Sequence, residues 1–450
     1  MAKTNNDSKN SYQNLNLQAR AVLSLNSING LVIPARGLYP HRVLWDSCFI
    51  GIGLSHYDIE ASKRQILSFL DAQWSDGMVP HIIFNSAPRY FWDRFNWRSW
   101  LSPLSVKGLP TSGITQPPMF AEAVYRIGSK LTKTERQIWY KSVFDKLVRY
   151  HSWLYENRDL KGDGLITLIH PWETGLDNTP PWLASLNRRH TPLFINLLVW
   201  SGLIKIGDHL RIDGKYVDFN QRSTSIEALR LYGAQRIIRR KRYNNSKILK
   251  KPMFAIEDLA YNSIFIRANS LLREIALEID QTLPKSLLIS MSKTETNLDE
   301  LWDINAKTYY PRNEKYGYFL KEDSVAALLP LYSGAISKER AEHLLVKLND
   351  KQKYNTVFPV PSVPVSSKWF KPMRYWQGPS WININWLLID GLKRYGFVKE
   401  AENLAIQTIE LVKKSGFYEY FNPITGQPAG VKNFSWTAAL IIDLIEEYIG

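Results

Sequence analysis

Apolar residues recur along this chain at spacings of three and four, the period of a helix with one face turned inward. Ile264, Phe265, Ala268, Leu271, Leu272, Ile275 and Ile279 form one wide stripe. Trp139, Val143, Leu147, Tyr150 and Leu154 form another, opened by Thr134 and Gln137 at capping-box spacing. From Phe397 to Lys413, the positions Ala401, Leu404, Ala405, Leu411 and Val412 share a face, and Gly396 ends the helix before them. Similar patterns predict helices over 13–25, 59–73, 119–129, 188–207, 322–333, 378–394 and 433–448. Period-two segments are scarce and short. An all-α chain is expected.

About a dozen helices follow one another with no long low-complexity linker, so residues 1–450 are expected to form a single domain. Helix pairs closed into a ring would bury every stripe and gather the long loops at one end. A bundle or an open solenoid of helix pairs is the alternative arrangement.

Composition sharpens the picture at three points. Aromatic residues make up 13% of the chain, with 16 Trp and 23 Tyr, and many fall in Gly-, Pro- and Asn-rich stretches rather than in stripes. Flat rings beside polar groups suit the apolar faces and hydroxyl edges of a sugar. A single Cys excludes an intramolecular disulfide and a thiolate-built zinc site, and Cys48 reads as a small buried hydrophobe. The polar start Met1–Asn10 and the absence of a run of about 18 apolar residues point to a cytoplasmic protein with no membrane association.

The net charge is +15, and it is concentrated. Arg230, Arg236, Arg239, Arg240, Lys241, Arg242, Lys247, Lys250 and Lys251 fall in one acid-free stretch. With only Tyr232 and Tyr243 to stack bases and no nucleic-acid motif, the stretch reads as a solvated helix end and loop. No nucleic-acid partner is expected. Steering of an anionic small substrate is a further role such charge can play.

The loops carry the chemistry. They read Tyr39 to Phe49 with Trp45-Asp46, then Thr111 to Pro118 with Gln116, then His170-Pro171-Trp172-Glu173-Thr174-Gly175-Leu176-Asp177-Asn178. Further on come Arg374-Tyr375-Trp376-Gln377-Gly378-Pro379-Ser380-Trp381 and Gly416-Phe417-Tyr418-Glu419-Tyr420-Phe421-Asn422. Glycoside cleavage needs one protonated carboxyl to donate to the leaving oxygen and one ionised carboxylate to activate water or attack. Burial among aromatic rings raises a carboxyl pKa and keeps a donor protonated near neutral pH. Asp177, between Trp172 and Trp182 and followed by Pro180-Pro181, suits the donor; Glu419, between Tyr418 and Tyr420, suits either role.

Taken together these motifs resemble glycoside hydrolase family 63, and within it the small mannosylglycerate and glucosylglycerate hydrolases. The resemblance runs from Trp45-Asp46-Ser47-Cys48-Phe49 to Asn433-Phe434-Ser435-Trp436-Thr437-Ala438-Ala439. It implies an (α/α)6 barrel, a toroid of helix pairs with long loops forming the active site at one end, and an inverting α-glycosidase mechanism. The Asp of the family's Trp-Glu-Ser/Thr-Gly-x-Asp-Asn loop corresponds to Asp177 as general acid, and the Glu of its Tyr-Glu-Tyr motif to Glu419 as general base. Tyr39, Trp45, Asp46, Gln116, Trp172, Glu173, Tyr375, Trp376, Gln377 and Trp381 correspond to the residues that cradle the sugar. Glu173, four residues before Asp177, is also placed to orient its loop. Two positions depart from the pattern: Gln377 stands where many relatives have Arg, and Ser380 where Val is common. An amide lacks the fixed charge that suits an anionic group, so the departure bears on the aglycone.

The expectation that follows is hydrolysis of a small α-glucoside or α-mannoside, with a 2-O-glycosylglycerate as the leading substrate and Arg222 as a cation for its carboxylate. A trehalase or oligosaccharide α-glucosidase on the same fold is the alternative, and a carbohydrate-binding protein without turnover a further one. The chemistry needs no metal or organic cofactor. The eight His residues show no H-E-x-x-H spacing and read as capping or core residues.

Overall fold

The computed structural model describes residues 2–183, 201 and 212–449. Within these residues the chain is mostly helical, and its strands are two to five residues long. The helix expected over 188–207 lies outside the described residues.

Two kinds of helix are distinguishable by sequence. Leu44–Leu54 is apolar apart from Asp46 and Ser47 in its first turn, and every one of its residues is buried. Ser435–Tyr448, Ile382–Arg394 and Leu259–Glu278 are buried along most of their length. Such helices belong inside a layer of others. Ile59–Leu70 and Val398–Ser415 bury one face only, Ile66, Phe69 and Leu70 in the first and Ala401, Leu404, Ala405, Thr408 and Ile409 in the second.

Packing follows that division. Leu44–Leu54 packs on Phe120–Ser129, which packs on Leu259–Glu278, and that helix packs on the single turn Pro330–Ser333. Pro330–Ser333 packs on Ile382–Arg394, which packs on Ser435–Tyr448, and this last helix returns to Leu44–Leu54. Ile59–Leu70, Lys133–Arg158, Val398–Ser415 and Ala2–Leu25 lie against these inner helices. The succession is consistent with a helical toroid. Its closest seam is at Gly53, where an added Cβ would fall 2.5 Å from the Ala439 Cα, so only glycine lets the two helices meet.

Leu44–Leu54, Ile382–Arg394 and Ser435–Tyr448 start on the same side. Trp45, Trp381 and Trp436, at those starts, meet in one aromatic cluster: Trp436 lies 5.5 Å from Trp45 and 5.7 Å from Trp381 between ring centroids. At their other ends, Arg126 reaches Asp390 at 3.0 Å and Asp443 at 3.6 Å. The helix starts, with their unpaired N–H groups and positive dipole ends, therefore face one side of the molecule, which favours anions there.

Two local expectations are corrected. The capping box of Lys133–Arg158 uses Thr132 and Glu135 rather than Thr134 and Gln137. A carboxylate three residues on accepts both the Thr132 N–H, at 3.1 Å, and its hydroxyl, at 2.7 Å, which leaves Thr134 inside the first turn. The helix expected over 322–333 is instead a 3₁₀ turn, Val325–Leu328, and the short helix Pro330–Ser333. Pro330 has no N–H to donate, and its ring clashes with the carbonyl four residues earlier, so helix cannot run through it. The first helix begins at Ala2 rather than near residue 13, and the other ends differ from expectation by a few residues.

The basic stretch spans the end of Ser225–Arg240 and the helix Asn245–Lys250. Arg236, Arg240, Arg242, Lys247, Lys250 and Lys251 are exposed, whereas Arg239 donates to the Asn96 carbonyl at 2.5 Å. Cys48 is fully buried, and burial pushes its thiol well up. His151 and His170 are buried, the first bonded to Asn269 and the second capping the turn at Trp172, and burial lowers both to about 4.

Candidate active site

Glu419 stands on a hairpin rather than a loop. Tyr418–Phe421 pairs antiparallel with Pro428–Lys432, and the register shifts between Tyr418 and Tyr420. An irregularity of this kind re-aims the side chain at its centre. Gly430 opposite has φ +70°, and an added Cβ would lie 2.6 Å from the Glu419 Cβ, so the partner strand must be glycine there. The Val431 N–H then donates to Glu419 Oε2 at 3.1 Å. Glu419 Oε1 accepts the Tyr39 hydroxyl at 2.7 Å and Arg222 Nη1 at 3.1 Å. Arg222 itself lies 4.2 Å from the Tyr375 ring centroid and 5.6 Å from that of Tyr39.

Asp177 lies on the loop that follows the 3₁₀ turn Pro171–Thr174. Its Oδ2 accepts the Tyr375 hydroxyl at 3.0 Å, and its carbonyl accepts Trp182 Nε1 at 3.4 Å. Burial pushes its carboxyl up to about 7; the Tyr375 hydrogen bond and the Arg222 charge oppose the rise, and Glu419 adds to it. The two carboxylates are thus linked through two groups: Tyr375 donates to Asp177, and Arg222, packed on Tyr375, pairs with Glu419. Asp46, in the first turn of Leu44–Leu54, is a third acid of the site. Burial raises its carboxyl well above the usual range, and the charges of Glu419 and Asp177 raise it further.

The aromatic residues form the wall. Trp376 and Trp381 stack face to face, 3.8 Å apart and 4° from parallel. Trp381 packs on Tyr420 at 4.5 Å, and Trp45 lies 6.3 Å from Trp376. All three tryptophans are buried. Trp172 is partly exposed, between His81 at 6.3 Å and Tyr232 at 5.4 Å. Gln116 Oε1 accepts the Trp45 N–H at 3.5 Å. Tyr375 has φ +37°, a strained value for a residue with a Cβ, and its N–H donates to the Gln221 carbonyl at 3.1 Å.

Two residues expected at the sugar are engaged elsewhere. Glu173 is completely buried: it accepts Arg158 Nη2 at 2.9 Å and the Ile169 N–H at 2.7 Å, so it orients its loop. Gln377 is 1% exposed, and its Nε2 donates to the Asn178 carbonyl at 3.1 Å and to Glu227 Oε1 at 3.2 Å. The Glu173 carboxylate is taken up by these partners, whereas the Oε1 of Gln377 is buried with no hydrogen-bond partner among the described residues. Arg222 is at the site as expected, but with Nη1 on Glu419 rather than held free for an aglycone.

Gln221, Asn178 and Glu227 were not expected here. Gln221 accepts the Tyr420 hydroxyl through its carbonyl at 2.5 Å and the Gly430 N–H through Oε1 at 2.9 Å, tying the hairpin to the Tyr375 loop. The stretch around it has none of the Trp, Gly and Pro punctuation that marks the other loops. The one legible signal was Thr224-x-x-Glu227, a capping-box spacing at the start of Ser225–Arg240.

Residues 39–437 match the model of the mannosylglycerate hydrolase MGH1-like glycoside hydrolase domain. The mannosylglycerate hydrolase of Thermus thermophilus is 34% identical over 430 residues, covering 95% of this chain and 99% of that protein. The glucosylglycerate hydrolase of Mycolicibacterium hassiacum is 30% identical over 456 residues, covering 96% and 98%. A crystal structure of the Thermus thermophilus family 63 mannosylglycerate hydrolase, in complex with Tris and D-glycerate, superposes with a TM-score of 0.84 at 32% identity, covering 95% of this chain and 99% of that one. Among the described residues, no helix is long and apolar enough to cross a membrane. A helical scaffold matched along nearly its whole length makes this chain a glycoside hydrolase of family 63, in the group of the mannosylglycerate hydrolase MGH1-like domain.

Proposed function

We propose that this protein is an inverting α-glycosidase that hydrolyses a 2-O-glycosylglycerate, with mannose or glucose as the sugar, on a single (α/α)6-barrel domain spanning 1–450. Asp177 is the general acid and Glu419 the general base. The observation that carries this reading is the contrast between the two carboxyls. Asp177 is raised to about 7 and bonded to a neutral hydroxyl, whereas Glu419 accepts from a guanidinium, a hydroxyl and an N–H. A carboxyl raised by burial suits the acid, and one that accepts three donors suits the base.

In the reaction, Asp177 gives its proton to the glycosidic oxygen as the bond from that oxygen to the anomeric carbon breaks. Water attacks the same carbon from the opposite face, and Glu419 takes the proton it loses. The products are the free sugar and glycerate. Exchange of one proton with solvent returns Asp177 to its acid form and Glu419 to its carboxylate. Protons and water suffice, so no metal or organic cofactor takes part.

The glycerate aglycone is supported by the names of the relatives, by the D-glycerate in the Thermus thermophilus complex, and by the field of the site. Starts of inner helices converge there, and Arg222 adds a cation within reach of both carboxylates. Tyr39, Trp45, Asp46, Gln116, Trp172, Tyr375, Trp376 and Trp381 would surround the sugar.

The test is a substrate panel of mannosylglycerate, glucosylglycerate, the uncharged glucosylglycerol, trehalose and short α-glucans, read by proton NMR of the first-formed sugar. Release of a β-anomer from a glycosylglycerate is expected. An α-anomer would overturn inversion, and preference for trehalose or a glucan would overturn the aglycone.

A further inference from the structure

We propose that Glu227 is a positioning residue for the general acid, acting through the capping box that opens the Ser225–Arg240 helix. The proposal rests on the roles just given to Asp177 and Glu419.

Two capping boxes in this chain have the same chemistry and different surroundings. Glu135 closes on Thr132 at the exposed start of Lys133–Arg158. Glu227 closes on Thr224 in the same way, accepting its N–H on Oε2 at 2.9 Å. Glu227 also accepts Asn178 Nδ2 on Oε2, at 3.4 Å, and Gln377 Nε2 on Oε1, at 3.2 Å. Both donors belong to catalytic loops. Asn178 is next to Asp177, and its Oδ1 accepts the Trp376 N–H at 3.0 Å. Gln377 is two residues from Tyr375, whose hydroxyl holds Asp177.

The bonds close a circuit from Glu227 through Asn178 and Asp177 to Tyr375, and back through Trp376 and Gln377. On its other side, the capped helix begins three residues after Arg222, which holds Glu419. One carboxylate therefore ties together the loop of the acid, the loop that hydrogen-bonds the acid, and the helix start beside the cation of the base.

The chemistry requires a carboxylate rather than an amide. Both oxygens of Glu227 face N–H donors, so an amide nitrogen would have to oppose one of them. Asn178 is 0% exposed and Gln377 1%, so solvent cannot readily replace a lost acceptor. The loop would shift to relieve the mismatch, and a small displacement of a reacting group costs rate out of proportion to its size.

Glu135→Gln is the matched control, since it alters a cap without touching a catalytic loop. Wild type, Glu135→Gln and Glu227→Gln are compared by kcat, KM, the pH dependence of both, and thermal midpoint. The Asp177 carboxyl is followed in each by carbon-13 NMR, with Asp177→Asn identifying its signal. Glu135→Gln should leave kcat, KM and the Asp177 midpoint unchanged. Glu227→Gln should lower kcat roughly tenfold or more with a smaller change in KM. It should also move the Asp177 midpoint, and with it the alkaline limb of the pH profile, to lower pH as the carboxyl gains water.

Kinetics and Asp177 titration matching those of Glu135→Gln would reduce Glu227 to a helix cap and overturn the proposal. If Glu227→Gln does not fold, Gln377→Met removes one spoke of the circuit, and an unchanged kcat and midpoint in that variant overturn it equally. Should wild type cleave none of the glycosides, the proposed function fails, while the NMR midpoint in Glu227→Gln still decides whether Glu227 positions Asp177.

Discussion

Buried acids gather at both ends of the inner helices, and they are treated in opposite ways. At the end away from the proposed catalytic pair, Arg126 bonds Glu122 at 2.6 Å and Asp390 at 3.0 Å, while Arg267 reaches Glu122 at 3.3 Å and His56 reaches Asp443 at 2.8 Å. Burial pulls Glu122 upward, but the Arg126 and Arg267 charges outweigh it and hold the carboxyl below its ordinary value. In Asp443, too, burial is outweighed, there by the His56 hydrogen bond and the Arg126 charge. At the catalytic end Asp46 and Asp177 are raised, and Arg222 is the cation that acts on Asp177 while bonded to Glu419. Burial is common to both ends; among the described residues the supply of cations differs. A matched network fixes its acids as charges, whereas a short supply leaves one acid able to hold a proton near neutral pH.

The largest effect should come from removing the members of the unmatched set. Asp177→Asn and Glu419→Gln should each lower kcat by roughly 10²- to 10⁴-fold, with circular dichroism and thermal unfolding showing an intact fold. Asp443→Asn, at the other end, should leave kcat of the folded enzyme near wild type. It breaks a buried charge pair and should cost about 3–5 kcal/mol of stability. A near-normal rate in Asp177→Asn, or a large kinetic loss in Asp443→Asn, would erase the distinction between the ends.

Stability against pH should separate them with opposite slopes. The Asp177 carboxyl rises from 3.8 to about 7 on folding. A raised acid supports the folded state most fully below its unfolded value, and that support is lost as pH rises through the folded one. Wild type should therefore lose ground to Asp177→Asn between about pH 4 and 7, at up to about 1.4 kcal/mol per pH unit. Asp443 is depressed, so its contribution is present above its unfolded value and lost as pH falls. The deficit of Asp443→Asn should narrow below about pH 4. Denaturant unfolding from about pH 2 to 8 reads both, and slopes of the same sign would show that cation supply does not set the difference.

Arg222 is the hinge of the comparison, because it bonds Glu419 and its charge also acts on Asp177. Arg222→Ala should raise the Asp177 midpoint, since Arg222 opposes its rise, and should lower kcat for charged and uncharged glycosides alike by about tenfold, since a charged hydrogen bond to the base is lost. An effect confined to the KM of glycosylglycerates would return Arg222 to the aglycone and free Glu419 from dependence on it.

How much of this was legible follows from the range of the forces involved. Helix faces are local, and stripes such as Ile264 to Ile279 fell where expected. The Pro330 break was local too, but apolar periodicity overrode it in the reading. Asp177 and Glu419 were singled out by the family motifs they fall in, with flanking rings as a weaker sign, and Tyr375 bonds the first and Tyr39 the second. Glu173 and Gln377 show the converse. Each sits inside a motif beside functional residues, yet its partner, Arg158 or Glu227, comes from a distant part of the chain. The contacts of Glu227 were hidden for the same reason: a capping box reads identically whether its glutamate faces water or the loops of Asp177 and Tyr375.

The smallest effect tests whether charge outside the site adds to the field of Arg222. Ser225–Arg240 begins beside the catalytic loops and carries its exposed Arg236 and Arg240 onto the surface, followed by Arg242 and Lys247. Arg239 bonds the Asn96 carbonyl and is best left in place. Replacing the four exposed residues with Gln should leave the thermal midpoint nearly unchanged, because isolated surface charges contribute little to stability. Beyond about 10 Å their field is screened at 0.1 M salt, so any contribution to capture must fade with ionic strength. We expect kcat/KM for a glycosylglycerate to fall about two- to threefold at 10 mM salt and to match wild type at 0.3 M, consistent with long-range attraction of an anion. The uncharged glucosylglycerol should be unaffected at either salt. An equal loss on both substrates would mean that the substitutions disturb the start of the helix, and with it Glu227, rather than the field. No loss on the charged substrate at low salt would confine the electrostatics of capture to Arg222 and the helix starts.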